Sequence, residues 1–307
     1  MGLSPSAVRA LRALVTLQCA AIGVLSAQLT LTVALQKTEF FEGEPLYVAF
    51  ELTNHGADTA WTWPLDPSPD RLTVEIRKHD GPRVRATSIW IDRAFPPTYR
   101  GEPLAPGESD VQVYTLQDLW GDDHQRQHVF VHHMGPGTYT LRASFDSRVT
   151  PEAGGEGTVF LAQPAMFTIR PASQLEESAF KEVGDVFDRA FARPTRAQYA
   201  GALLSLLERR WAENPLDPFL PHLLTQGVTL VWATNQSLTV EQARRVSELQ
   251  RSVATAQADR PAGALVAIRL HRDVPVGMSA PDTAGFGTSL ASRAVLAVWR
   301  RTNHPQH

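Results

Sequence analysis

GEPLYVAFELTNHG, residues 43–56, decides the fold. Leu46, Val48, Phe50 and Leu52 alternate with Tyr47, Ala49, Glu51 and Thr53, which is the period of a strand buried on one face. Gly43 and Pro45 punctuate its start, and Pro lacks the amide that a ladder would use. Asn54 and Gly56 tolerate the positive φ expected of a sharp exit. Full burial of the four apolar side chains is worth about 1.5–3 kcal/mol each, so the stretch reads as a core strand. No residue on it carries chemistry.

Outward from this strand, residues 28–172 read as strand and turn throughout. LTLTVALQ precedes it, and RLTVEIRKHDG, VRATSIWID, DVQVYTL, HVFVHH, GTYTLRASF and AMFTIRP follow. Asp80-Gly81, Pro106-Gly107, Pro136-Gly137 and Gly154-Gly155 mark turns between them. Short alternating strands at such spacing predict an antiparallel sandwich or barrel. GEPLYVAFELTNHG, LAPGES at 104–109 and GPGTYTLRASF at 135–145 together resemble bacterial immunoglobulin-like sandwiches, and among these the intracellular proteinase inhibitor family. The resemblance covers residues 28–170 and implies an immunoglobulin-like fold, with Tyr139 placed as its tyrosine corner. It transfers no inhibitory loop.

After Ala172 the period changes. Ser173 with Glu176 makes a capping-box pattern, and Ala179, Val183, Val186, Phe187 and Ala190 recur at helical spacing. Further helices are expected from Thr195 to Pro215, over PFLPHLLTQGVTLVWATN, from Thr239 to Pro261, and over AGALVAIRLHRD. The recurrence of helix, proline and helix weakly resembles tetratricopeptide-type repeats, and a plain bundle fits equally. The fold class is thus multidomain: an all-β sandwich over 28–172, then an all-α repeat or bundle over 173–273. A linker at 274–289, a short helix at 290–301 and a disordered tail at 302–307 complete the chain.

Composition bounds the function. The 307 residues are 43% hydrophobic and 20% charged, with net charge −3, which is globular and gives no electrostatic case for nucleic acid. Arg9 and Arg12, the apolar run after them and Leu25-Ser26-Ala27 form a signal-peptide pattern over residues 1–27. The expectation is a periplasmic or secreted protein cut after Ala27, with an uncleaved membrane anchor as the alternative and no further span. Gln18 stands where a lipobox before Cys19 would need a small residue. Cys19 is the single cysteine, so a mature chain from Gln28 has no disulfide and no thiol chemistry.

Candidate sites are few. His124, His128, His132 and His133 carry imidazoles suited to zinc, but in a strand they do not converge and no Glu completes an HExxH pattern. Trp61, Trp63, Trp90, Tyr99 and Trp120 either form a stacking platform or fill the sandwich core. Asp122-Asp123 and Glu176-Glu177 read as solvated or capping carboxylates, and Asn235-Gln236-Ser237 matches a glycosylation sequon. No nucleophile elbow, phosphate loop or dinucleotide fingerprint occurs in the sequence, so no catalytic set, metal or cofactor is expected. Three functions fit: a non-catalytic envelope adaptor binding a protein or envelope polymer, an immunoglobulin-like protease inhibitor, and an envelope hydrolase. Because the histidines do not converge, zinc should leave the thermal midpoint of the purified mature protein unchanged, and a clear rise would overturn that reading.

Overall fold

Alternating apolar residues become strands, and i, i+3, i+4 spacing becomes helix, with the change at the Pro171 region. The computed structural model of the chain describes residues 29–65, 71–81, 83–86, 101–116, 134–147, 158–192, 195, 198–233, 238–271 and 286–303. The strands are β1 (Leu29–Leu35), β2 (Glu39–Phe41), β3 (Tyr47–Asn54), β4 (Ala60–Thr62), β5 (Leu72–Lys78) and β6 (Arg83–Ala86), followed by β7 (Glu102–Leu104), β8 (Ser109–Thr115), β9 (Gly137–Asp146), β10 (Val159–Leu161) and β11 (Ala165–Arg170). Then come α1 (Gln174–Phe191), α2 (Tyr199–Glu213), α3 (Leu220–His222), a π-helical turn (Leu223–Gly227) and α4 (Val228–Ala233). The chain closes with α5 (Val240–Ala256), α6 (Pro261–His271) and α7 (Leu290–Asn303). It is a mixed strand-and-helix protein.

One sheet runs β1–β3–β8, and a larger one runs β2–β11–β9–β5–β6 with β10 also on β9; β4 and β7 make a separate ribbon. All pairings are antiparallel except β2 with β11. Val48, Phe50 and Leu52 of β3 face Leu72, Val74 and Ile76 of β5 and Leu141, Ala143 and Phe145 of β9 in one buried cluster between the sheets. Tyr139 stacks on Phe167 with ring centroids 5.2 Å apart, and its hydroxyl donates to the Gly135 carbonyl at 2.7 Å.

The other face of β3 does not meet water. Tyr47 and Ala49 are buried as fully as their neighbours. Ala49, with Val111 and Val113 of β8 and Phe41 of β2, belongs to a second cluster whose remaining members come from the helices. The strand read as buried on one face is therefore covered on both, and the helical cluster takes in Phe41, Ala49, Val111 and Val113 of the sheets, while the cluster between the sheets is drawn from residues 29–169 alone. The physical reason is that Ala49, Val111 and Val113 make a short apolar row that α6 and α7 cover. Polar staples fix the docking. The Tyr47 hydroxyl donates to the Pro218 carbonyl at 3.2 Å, and the Ala262 amide donates to Gln36 Oε1 at 3.2 Å.

The junction between sheet and helices is built locally. Ser173 caps α1, with Glu176 completing the capping box as its spacing predicts. Arg170, the last residue of β11, donates to both carboxylate oxygens of Glu176 at 2.8 and 2.6 Å and holds its pKa down to about 2. Gly43 has φ +88°, and a Cβ there would stand 3.0 Å from the Phe180 ring on α1, so the turn residue read from sequence also makes room for a helix. α2 starts at Tyr199, four residues after the expected Thr195, because Thr195 is held in a turn by the Ala192 carbonyl. α7 extends to Asn303, two residues past the expected end, and packs on β8 as well as on α6.

Of the remaining sequence expectations, the signal segment 1–27, most of the linker at 274–289, most of the strand VRATSIWID, the strand HVFVHH and the tail at 304–307 lie outside the described residues. Among the described residues, no helix is long and apolar enough to cross a membrane.

Because Val111 is fully buried in the cluster shared by sheet and helices, Val111→Ala should cost about 2 kcal/mol. Helical circular dichroism and tryptophan fluorescence should then fall together in one urea transition at a lower midpoint, whereas two separated transitions would contradict a shared core.

Candidate functional site

Two concave features stand out, and the first depends on how β3 ends. Asn54 is buried, and its side chain is saturated with hydrogen bonds. Its Nδ2 donates to the carbonyls of Asp58 and Leu104, each at 2.8 Å, while its Oδ1 accepts from the Gly56 amide at 2.9 Å. The expected positive φ at Gly56 does not occur. An Asx turn bends the chain instead, because the Asn54 carboxamide supplies the acceptor that a tight backbone turn would need. The Asn54 backbone is fixed as well, its amide donating to Glu108 and its carbonyl accepting from Gly107 at 2.7 Å. Gly107 takes φ +77° in the Pro106-Gly107 turn. The Asn-x-Gly exit and the LAPGES turn, far apart in sequence, are one brace.

That brace presents the outer edge of β8, and β8 is the last strand of its sheet. Two consecutive arginines of α7 cover the edge. Arg300 Nη2 donates to the Ser109 carbonyl at 2.6 Å, and Arg301 Nη2 donates to the Val111 carbonyl at 3.3 Å. The guanidiniums also pair with acids of the same strand region, Arg300 with Glu108 at 2.6 Å and Arg301 with Asp110 at 3.1 Å. Farther up the helix Arg293 pairs with Glu51 of β3 at 2.7 Å. Every base in these three pairs lies on α7 and every acid on or beside the sheet, so charge sets the register in which the helix lies. Unpaired edge carbonyls invite a foreign strand, and here they are occupied.

Between α7, β8 and the β4–β7 ribbon lies a cleft of about 270 Å³, lined by Thr59, Thr62, Glu102, Asp110, Arg300 and Arg301 over an apolar floor that includes Leu104 and Ala297. Its Asp110 carboxylate also accepts from the Leu65 amide at 3.3 Å. Glu108 and Asp110 are held by arginines, which suits them to bracing the helix and not to proton transfer.

The second feature is the outer face of the larger sheet, where Thr140, Arg142 and Ser144 of β9 lie beside Thr73, Glu75 and Arg77 of β5. Two adjoining hollows of about 260 and 580 Å³ share Glu75 and Arg142. Along the other side of β9 stand Val159, Leu161 and Met166, exposed to 54%, 76% and 57%. Their cross-strand partners are Asp146, Ser144 and Thr140, so the three apolar side chains border the same face as the row containing Arg142. Arg77 and Arg142 are exposed and form no ion pair among the described residues.

The aromatic candidates divide. Trp61 on β4 is 54% exposed opposite Pro103. Trp63, two residues on, is half-buried against the cluster between the sheets, with the Arg71 guanidinium 4.0 Å above its ring. The two indoles therefore do not form one open platform. Trp90, Tyr99, Trp120, the pair Asp122-Asp123, His124, His128, His132, His133 and the sequon at Asn235 all lie outside the described residues. Glu176 is committed to the capping box and to Arg170. Among the described residues no group of three or more His, Cys, Asp or Glu side chains is arranged to hold a metal ion.

Sequence reasoning missed both concave features. The sequence places Arg300 and Arg301 only within the short helix expected at 290–301. The open face carried a weak signal in Met166, an apolar residue out of phase with Phe167 and Ile169 in the same strand.

No protein-family model matches the chain, and no curated protein matches it. Solved structures similar to part of it include a β-glucosidase from Erythrobacter marinus at TM-score 0.26 and 15% identity, covering 47% of this chain and 16% of that one. A β-glucosidase from Listeria innocua in complex with glucose has TM-score 0.25 and 15% identity over 47% and 16%. β-Glucosidase 3B from Thermotoga neapolitana has TM-score 0.22 and 16% identity over 46% and 17%. The chain spans about a sixth of the length of these enzymes, and scores this low carry no argument about fold or activity.

Asn54 makes the brace on which the cleft is built. Asn54→Ala removes three side-chain hydrogen bonds and should lower stability by about 3 kcal/mol. Asn54→Asp, which keeps the acceptor for Gly56 and loses both donors, should recover only a minor part of that loss in urea denaturation.

Proposed function

We propose that the protein is an exported, non-catalytic binding protein of a bacterial cell envelope, and that it binds through the outer face of its larger sheet. The observation that carries this reading is the asymmetry of the two sheets. Helices bury the outer face of β3 and β8, whereas the face of β5, β9, β10 and β11 leaves Val159, Leu161 and Met166 in solvent beside Arg77 and Arg142. Exposed apolar groups gathered on one face, next to uncompensated charge, mark interaction surfaces. Residues 29–170 are taken as an immunoglobulin-like sandwich. The neighbour orders β1–β3–β8 and β11–β9–β5 match the A-B-E and G-F-C orders of that fold, and the Tyr139 hydroxyl bonding back to Gly135 has the form of its tyrosine corner.

The helices are read as a bundle folded onto the sandwich, not as a free-standing repeat array, since α6 and α7 pack on β3 and β8. Their role is to cover one side and leave the other for a partner. Export rests on the signal pattern of residues 1–27 and on a mature chain without cysteine.

The test is enrichment from envelope extract with the tagged mature protein and with a Leu161→Asp, Met166→Asp variant. The variant should keep its melting temperature and lose the partners that the native protein enriches. Equal enrichment by both proteins would remove the open face from the proposal.

A further inference from the structure

We infer that the open face holds an acidic, extended stretch of another protein, in which two carboxylates two residues apart meet Arg77 and Arg142 and an apolar side chain lies beyond the one on Arg142. This rests on the proposed function above and names the chemistry of the partner.

Arg142 of β9 lies directly opposite Glu75 of β5, and Arg77 lies directly opposite Thr140. Arg77 and Arg142 are thus diagonal neighbours on one face, which places their Cβ atoms about 7–8 Å apart. Side chains on one side of an extended peptide repeat every two residues, about 6.8 Å. Two carboxylates at that spacing meet both guanidiniums at once, each able to accept the paired hydrogen bonds that Arg offers a carboxylate. Glu75 is already partnered within the protein. The exposed Arg77 and Arg142 form no ion pair among the described residues, so an acidic partner adds pairing without displacing any described ion pair.

The apolar rail fixes the rest of the motif and separates this partner from a plain polyanion. Leu161 stands level with Ser144 and Met166 level with Thr140, one at each side of the Arg142 position along β9. The diagonal from Arg77 to Arg142 continues toward Leu161, so an apolar residue two places beyond the carboxylate on Arg142 reaches Leu161. A polyphosphate or sulfated polymer satisfies the arginines and leaves Leu161 in water. The ligand need not add a strand, because β9 is already paired on both sides, by β5 and by β10 and β11. It is read by side chains.

The experiment is fluorescence anisotropy on the full mature protein with a labelled peptide Leu-Thr-Glu-Thr-Glu-Thr-Leu. Its controls are the same peptide with both glutamates replaced by glutamine, the same peptide with both leucines replaced by glycine, and inorganic polyphosphate. Saturable binding of the parent peptide is expected, weakened about tenfold by each control substitution and by each of Arg77→Glu and Arg142→Glu. Arg77→Gln and Arg142→Gln, which only remove charge, should show the same direction. Both arginines are exposed, and an unchanged melting curve confirms that the variants remain folded. Equal binding by the glutamine peptide, indifference to both arginine variants, or displacement by polyphosphate as effective at matched charge as by unlabelled peptide would overturn the inference. So would the absence of any peptide binding. The envelope enrichment test reads Leu161 and Met166 alone, so a partner of different chemistry would fail here and still succeed there.

Discussion

A strand pair covered on both faces, β3 and β8, is the constraint on which the rest of this protein is built. β3 sends Val48, Phe50 and Leu52 toward the larger sheet and buries Tyr47 and Ala49 beneath helices. A strand covered on both sides needs apolar or satisfied side chains at every position, and its polar groups are accounted for one by one. Tyr47 reaches a loop carbonyl, Glu51 meets Arg293, and Asn54 closes the end. The helices cannot depart without exposing Val111 and Val113, and the larger sheet cannot depart without exposing Phe50 and Leu52. Two layers are thereby committed to one strand pair, and the second face of the larger sheet is left as open surface. The asymmetry of the two sheets is a consequence of how the core is shared.

Electrostatics does a different job on each side. Around α7 the charges are spent on docking: Arg293, Arg300 and Arg301 each find an acid and give the helix a defined register. These pairs are partly buried, where desolvation offsets much of the attraction, so apolar burial supplies the affinity of helix for sheet and the arginines supply its alignment. Their contacts with the Ser109 and Val111 carbonyls add what packing cannot, an occupied strand edge. On the open face the arrangement differs, because Arg77 and Arg142 form no ion pair among the described residues although Glu75 stands opposite Arg142.

Local signals were legible in the sequence and distant ones were not. The capping box at Ser173 and Glu176 involves residues three apart and lies where its spacing indicates. The alternation of β3, β5 and β9 identifies the face turned toward the other sheet correctly. It says nothing of the opposite face, since Tyr47 and Ala49 read as ordinary outward residues until a helix from 240-odd positions later covers them, as the separation of 242 residues between Glu51 and Arg293 illustrates. Asn54 and Gly56 were recognised as a bend, but the mechanism differed, because a carboxamide that bridges two segments looks the same in sequence as one that merely tolerates αL. The cleft and the open face were invisible for the same reason. Arg300 and Arg301 acquire meaning only beside Ser109 and Val111, and Arg142 acquires meaning only beside Arg77.

The arginine cover of β8 has a bearing on the order in which the molecule is made. Ser109 and the Arg300 that covers it are separated by 191 residues. A chain delivered N-terminus first forms the strand long before its guard exists. Through that interval β8 is a bare, partly apolar edge of the sort that recruits neighbouring chains. Loss of the final turns, by a premature stop or by proteolytic trimming, would return the finished fold to this uncovered nascent condition.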